Sequence, residues 1–179
     1  MISSKSAKIL LTGLPGCGKT TAIMEIISQL NPDNLAGFYT QEIRQNGIRL
    51  GFRWIRLDGL EGILAHVDFK GSFNVSKYGV DVRGFEKAVV PVLDIKQSQA
   101  ELFVIDEIGK MECFSKKFVE TVCYLFASDK LILASVAKKG PGLISEVKNN
   151  PEARVFNLTP ESRNQISSEI LQILSHLKK

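Results

Sequence analysis

No uninterrupted apolar run in the 179-residue chain approaches the roughly 18 residues that a membrane span needs. The early run Ile9-Leu10-Leu11 is too short for a signal-peptide core and leads into glycines, which argues against secretion. Only three cysteines are present, Cys17, Cys113 and Cys123. They are too scattered for a disulfide framework and lack the CxxC spacing of a zinc or redox site. A reducing cytoplasm is therefore the expected compartment. The excess of one sign of charge is small as well: Lys+Arg is 23 against Asp+Glu 19, a net +4. The lysine pairs Lys116-Lys117, Lys138-Lys139 and Lys178-Lys179 are short enough to be solvated surface. Without a long basic run, an aromatic RNA-binding signature or a zinc-finger spacing, nucleic acid is not the expected partner. Composition is otherwise globular, 44% hydrophobic and 23% charged, and the length suits one domain with its own core.

Strand-like and helix-like segments alternate. Residues 8–12 read as a short buried strand, and Ile23, Ile26, Ile27 and Leu30 mark one face of a helix from Lys19 to Leu30. Between about 37 and 67 the pattern turns to alternation, broken at Gln45-Asn46-Gly47 and Asp58-Gly59. That predicts an antiparallel β-meander of about three strands, inserted after the first helix, with the third near 62–66. Residues 68–78 read as a loop, and 81–97 as a helix weakened by Gly84 and Pro91. Further strands are expected at 102–105, 131–136 and 155–157, with a helix over 114–126. The last helix should start at Thr159-Pro160 and present Ile166, Ile170, Ile173, Leu174 and Leu177 on one face. This order predicts an α/β fold: a mainly parallel central sheet flanked by helices, one domain over 1–179, with the meander as an insertion.

Gly13-Leu14-Pro15-Gly16-Cys17-Gly18-Lys19-Thr20 fits G-x-x-x-x-G-K-[ST], with an apolar strand before it and a helix after it. Backbone N–H groups can wrap a triphosphate only where no side chain intrudes, which the glycines allow, and the helix N-terminus adds its positive end. In that arrangement Lys19 reaches the β- and γ-phosphates and the Thr20 hydroxyl ligates Mg²⁺. No chemistry is assigned to Thr21, and Cys17 is read as a small residue filling the loop. Downstream, Leu102-Phe103-Val104-Ile105-Asp106-Glu107 is an apolar strand ending in two acids. A central parallel strand delivers its C-terminal end to the ligand crevice. Asp106 is then the second Mg²⁺ ligand, and Glu107 the carboxylate that orients a water for in-line attack. The two motifs are expected to converge from neighbouring strand tips.

These residues, together with Gly37-Phe38-Tyr39-Thr40-Gln41-Glu42-Ile43-Arg44, Gly47, Arg49, Gly51-Phe52 and the run Asp106-Glu107-Ile108-Gly109-Lys110-Met111-Glu112, resemble the THEP-type nucleoside-triphosphatase family. These are small P-loop proteins of thermophiles with animal relatives. The likeness runs from about residue 8 to the last helix. It implies a RecA-like P-loop core and Mg²⁺-dependent hydrolysis of ATP, GTP and other NTPs to NDP and phosphate, with loose base preference. It assigns nucleotide binding to residues 13–20 and to Leu102, Phe103, Val104, Ile105, Asp106, Glu107, Ile108 and Gly109.

Phosphoryl transfer gains from an arginine at the γ-phosphate. The candidates are Arg44, Arg49, Arg53, Arg56, Arg83 and Arg163. Arg49 is favoured as catalytic, and simple alternation puts Arg49 and Arg53 on one face. Lys110 is either a second γ-phosphate contact or a surface lysine, residues 157–164 are candidates for the base site, and His66 is read as a partly buried strand residue. A monomer is the expected state. Three rival functions share the core. For a regulatory GTPase, Asp106-Glu107-Ile108-Gly109 satisfies D-x-x-G, but no N-K-x-D occurs. A nucleotide or nucleoside kinase is the runner-up, with the Arg44–Arg56 meander as its lid. The third is a nucleotide-gated binding module.

Overall fold

A computed structural model describes residues 7–177, the side chain of Leu177 excepted. The Lys178-Lys179 pair and the Leu177 side chain lie outside the described residues. The strands are β1 (Lys8–Thr12), β2 (Leu35–Gln45), β3 (Ile48–Arg56), β4 (Glu61–His66), β5 (Asn74–Val75), β6 (Tyr78–Val80), β7 (Leu102–Ile108), β8 (Leu131–Val136) and β9 (Ala153–Asn157). The helices are α1 (Lys19–Ile27), α2 (Val82–Val89), α3 (Lys116–Phe126), α4 (Leu143–Lys148) and α5 (Arg163–Leu177).

All nine strands join one sheet in the order β5-β6-β4-β3-β2-β7-β8-β1-β9. From β2 to β9 the pairings are parallel, and from β3 outward they are antiparallel. The expected α/β architecture is therefore present: a parallel central sheet of β2, β7, β8, β1 and β9 flanked by helices, extended by antiparallel strands. Alternation in the central strands assigns each residue to a face. Ile9, Leu11, Leu102, Val104, Leu131 and Leu133 pack with Ala22, Ile23 and Ile26 of α1 and Ile170 and Leu174 of α5. Leu10, Phe103, Ile105, Ile132 and Ala134 pack on the other side with Phe85 and Val89 of α2, Phe118 and Val122 of α3, and Ile144 of α4. A strand buried on both faces is apolar at nearly every position, which is why β1, β7 and β8 read as hydrophobic runs; the buried exception at the start of β1, Lys8, donates to the Ser128 and Lys130 carbonyls.

Several expectations need correction. The expected meander, β2 to β4, follows the first helix, but its first strand starts at Leu35 and also belongs to the core. The first part of β2, Leu35 to Phe38, is a parallel core strand beside β7. The same strand then continues into the antiparallel pairing with β3. The expected loop at 68–78 holds β5 and the start of β6, whose few residues are fixed by pairing with each other and with β4. The helix expected over 81–97 stops at Val89, and Pro91 lies in the 3₁₀ turn Val90–Leu93, since its ring and missing N–H end the i→i−4 ladder. The first helix ends at Ile27 and the last begins at Arg163, after a turn in which the Ser162 N–H donates to Thr159 Oγ1 at 3.2 Å. Helix α4 has no counterpart in the sequence reading, because six residues are too few for a helical period to show. Finally, β1 and β7 are not neighbours: β8 lies between them.

Candidate active site

The phosphate loop leaves β1 and enters α1 with Gly16 and Gly18 in positive-φ conformations, at 78° and 97°. Gly18 is the N-cap of α1, and no side chain caps it. The first-turn N–H groups of a helix have no intrahelical acceptor, so this end is left to an anion. Cys17 turns inward and packs with the α1–α5 core, as a small filler would. All three cysteines are free.

The carboxylate pair stands at the tip of β7 and meets this loop across β8. The Thr20 hydroxyl donates to Asp106 Oδ2 at 2.6 Å, and Lys19 Nζ lies 3.4 Å from Glu107 Oε2. Asp106 is 1% exposed. Burial pushes its carboxyl above the usual range, opposed by hydrogen bonds from Ser135, Thr20 and the Thr40 backbone and by the charge of Lys19. Burial also raises Glu107, Lys19 opposes that shift, and the neighbouring Asp106 adds to it. The peptide joining the two acids is cis.

Three participants escaped the sequence reading. Ser135, in β8, donates a short hydrogen bond to Asp106 Oδ1 and so fixes the second carboxylate oxygen. Its signal was a lone hydroxyl in the apolar run Leu131-Ile132-Leu133-Ala134-Ser135-Val136. Glu112, in the turn after β7, is a buried carboxyl pushed up to about 8 by burial and by the nearby charges of Glu107 and Asp106. A Cβ on Gly109 would stand 2.9 Å from Glu107 Oε1 and 2.9 Å from Glu112 Oε2. A side chain there would have to displace both carboxyl groups. Lys148, in α4, adds positive charge that lowers the Glu107 carboxyl and donates to the Lys138 carbonyl at 2.8 Å.

One cavity of about 590 Å³ reaches Glu112 as well as the loop and the two acids. Pro15, Gly16, Gly18, Lys19, Thr20, Thr21, Asp106 and Glu107 line it; Gly13, Leu14 and Cys17 are not in its wall. Leu14 is exposed, and Gly13 packs so closely on Leu158 that its role is in the loop's footing. Leu102, Phe103, Val104, Ile105 and Ile108 are buried in the two cores. They deliver Asp106 and Glu107 without facing the cavity. Lys110 sits exposed at its wall.

Arg49 does line the cavity, while Arg53 does not. The expected shared face fails because Ile43 pairs with Gly51 and Arg44 with Arg49, so Leu50 is an extra residue in β3. Such a bulge shifts side-chain parity. Arg49 joins Glu42, with Nη1 2.7 Å from Oε1, and its Nε donates to Tyr78 Oη at 3.0 Å. Arg53 turns to Gln41 and Glu61. Arg44 holds Glu42 from outside, Arg56 pairs with Asp58 and the Ala88 carbonyl, and Arg83 is exposed. Arg163 packs on the outside of the phosphate loop, its Cδ 3.1 Å from where a Gly18 Cβ would be, with its buried Nε 4.0 Å from Glu25 Oε1 and without a hydrogen-bond acceptor. His66 is half-buried in β4, as read.

Thr20 and Asp106 offer a hydroxyl and a carboxylate oxygen, the hard donors Mg²⁺ takes. No group of three or more His, Cys, Asp or Glu residues able to hold a metal ion occurs among the described residues. Mg²⁺ at phosphate sites needs only one or two protein oxygens beside the phosphates, so the donor set fits.

A model of the family described as "NTPase" matches residues 8–171. A nucleoside-triphosphatase THEP1 from a Thermotoga species is 42% identical over 93% of this chain and 95% of its own length. The human cancer-related nucleoside-triphosphatase is 36% identical over 96% of this chain and 98% of its own. The crystal structure of THEP1 from Aquifex aeolicus superposes with a TM-score of 0.85 at 36% identity, covering 93% of this chain and 98% of that one. Among the described residues no helix is long and apolar enough to cross a membrane.

Proposed function

This chain belongs to the NTPase family and is a nucleoside-triphosphatase, and we propose that it splits NTP to NDP and phosphate in a Mg²⁺-dependent reaction with water oriented by Glu107. The observation that carries this reading is the pair of contacts between phosphate loop and acidic tip, Thr20 to Asp106 and Lys19 to Glu107. Free N–H groups of the loop and of the α1 N-terminus bind the β- and γ-phosphate oxygens. Lys19 then moves its charge from Glu107 to the phosphate, which frees the carboxylate to accept a proton from water. Thr20 and Asp106 would hold Mg²⁺, which neutralises phosphate charge and lets an anionic Glu107 stand beside it. Ser135 keeps Asp106 oriented. Arg49 adds positive charge in the same cavity, with Glu42 and Tyr78 restraining it.

No N-K-x-D selects guanine in the chain, and the loose base preference that the family resemblance implies is expected here, with ATP and GTP both turned over. Free, scattered cysteines accompany a cytoplasmic setting, and a monomer suffices because loop, metal ligands and carboxylate all come from one chain. Phosphate release tests the assignment. Lys19→Ala should lower kcat/KM by about 100-fold or more by removing a γ-phosphate charge. Glu107→Gln should keep Mg-nucleotide binding and lose turnover to a similar degree. Hydrolysis by Glu107→Gln at the native rate would remove Glu107 from its role.

A further inference from the structure

Not all of the charge in the cavity wall is paired. Asp106, Glu107 and Glu112 reach the cavity from β7 and the turn after it, and Glu42 from β2. Four cations share the wall: Lys19, Arg49, Lys110 and Lys139. Two of them are engaged. Lys19 lies 3.4 Å from Glu107 Oε2. Arg49 is held by Glu42 at 2.7 Å and by Tyr78 at 3.0 Å. The ammonium groups of Lys110 and Lys139 have neither an ion pair nor a hydrogen bond among the described residues.

Strand order ranks these cations by their access to the γ-phosphate. β8 pairs with β1 on one side and with β7 on the other. The loop that leaves its C-terminal end therefore borders both the phosphate loop and the carboxylate pair. Lys139 is on that loop. Arg49 is on β3, two strands beyond β7. At about 4.8 Å per strand, β3 stands roughly 10 Å from β7 and roughly 19 Å from β1. Lys110 leaves β7 itself, one strand farther from the phosphate loop than β8 is.

The backbone around Lys139 is held on both sides. The Ala137 N–H donates to the Ile108 carbonyl of β7 at 3.1 Å, and Ala137 itself lines the cavity. Lys148 Nζ donates to the Lys138 carbonyl at 2.8 Å. Gly140 lies against α4, where an added Cβ would stand 2.5 Å from Ile144 Cδ1. The loop is thus tied to β7 and α4, while the flexible side chain of Lys139 carries an uncommitted charge. A charge presented from a fixed backbone needs little reorganisation when anionic oxygens arrive.

We infer that Lys139 is a catalytic residue: its ammonium contacts the γ-phosphoryl oxygens and stabilises the charge on them during hydrolysis. The inference rests on the reading above that the γ-phosphate is bound beside Lys19 and Glu107. In the step, the water oxygen forms a bond to the γ-phosphorus. The bond from that phosphorus to the β,γ-bridging oxygen breaks, with its electron pair leaving on NDP. The water proton passes to the Glu107 carboxylate. Lys139 gives up no proton; it supplies positive charge to a group that faces the carboxyls of β7 and its turn.

Two measurements on the full chain test this. Phosphate release from Mg-ATP gives kcat and KM. Retention of labelled ADP with Mg²⁺ and aluminium fluoride, a mimic of the phosphoryl group in flight, reports binding of the transition state. Lys139→Ala should lower kcat about 100-fold and leave KM within about threefold of native. It should weaken ADP with aluminium fluoride by a similar factor, and ADP alone by no more than about threefold. Lys139→Arg keeps the charge and should return kcat to within about tenfold of native. Lys138→Ala removes the same charge one residue away, from a side chain outside the cavity wall. Its kcat should stay within about twofold of native. Lys139 is exposed, and a thermal melt checks that its variants fold. A Lys139→Ala kcat within about twofold of native overturns the proposal and leaves the hydrolase reading standing. So does an equal loss in Lys138→Ala, the mark of a general field effect. So does an equal weakening of ADP alone, the mark of a ground-state contact. Absence of phosphate release from the native chain would instead mark failure of the underlying reading.

Discussion

At the residue scale, the site is a set of buried charges that hold one another in place. Asp106 is tolerated at the bottom of the cavity because the Thr20 and Ser135 hydroxyls each take one of its oxygens. Glu107 has Lys19, 3.4 Å away. Glu112 has no cation, and burial beside two other carboxylates pushes it up to about 8. Its folded-state pKa therefore lies above the ordinary value of 4.5 that it has when unfolded. The unfolded chain loses this proton first, so stability falls as pH rises from the unfolded value through the folded one. Glu112→Gln removes that dependence while keeping an acceptor oxygen. The variant should match the native protein below the unfolded pKa and gain on it as pH rises, by on the order of a few kcal/mol at the alkaline end of the window. Urea denaturation across that range, without nucleotide or metal, measures the difference; a constant gap at every pH would contradict it.

At the element scale, small devices place these side chains. The bulge at Leu50 turns Arg49 toward the cavity, and no alternation rule applied to the sequence would have put it there. The turn after β7 brings Glu112 back beside Glu107 and then hands the chain to α3 through Ser115. Ser115 is 1% exposed and caps α3 by accepting the Phe118 N–H at 3.0 Å. Its hydroxyl also donates to Glu86 of α2 at 2.8 Å, tying the two helices that cover this face. Ser115→Ala loses the cap and that tie, and should cost about 1–2 kcal/mol in chemical denaturation. Ser115→Thr should recover part of the loss, because it restores the hydroxyl.

At the scale of the whole molecule, one sheet carries both the carboxylate tip and the meander wall of the cavity, with β2 belonging to its parallel and its antiparallel part. Phe38 stands at that junction, fully buried, with ring centroids 5.5 Å from Phe85 and 6.2 Å from Phe118. Phe38→Ala would open a cavity among three elements that cannot collapse together, and should destabilise the fold by about 3–5 kcal/mol in a denaturant titration. The sequence by itself determined the local pieces. The strand–loop–helix of residues 8–27 is contiguous, and its chemistry is written in neighbouring residues. The apolar run ending at Asp106-Glu107 announces a buried strand with two acids at its tip, and doubly buried strands are legible because nearly every position is apolar. Only the tertiary structure decided what meets what. It set β8, with Ser135, between the two motifs, gave β5 and β6 a partner, turned Arg49 inward, and buried Glu112 uncompensated. Periodicity reports the environment along a few residues of one chain segment. Register, strand order and the proximity of charges are set by packing between segments far apart in sequence, where a single added residue or an intervening strand changes the answer.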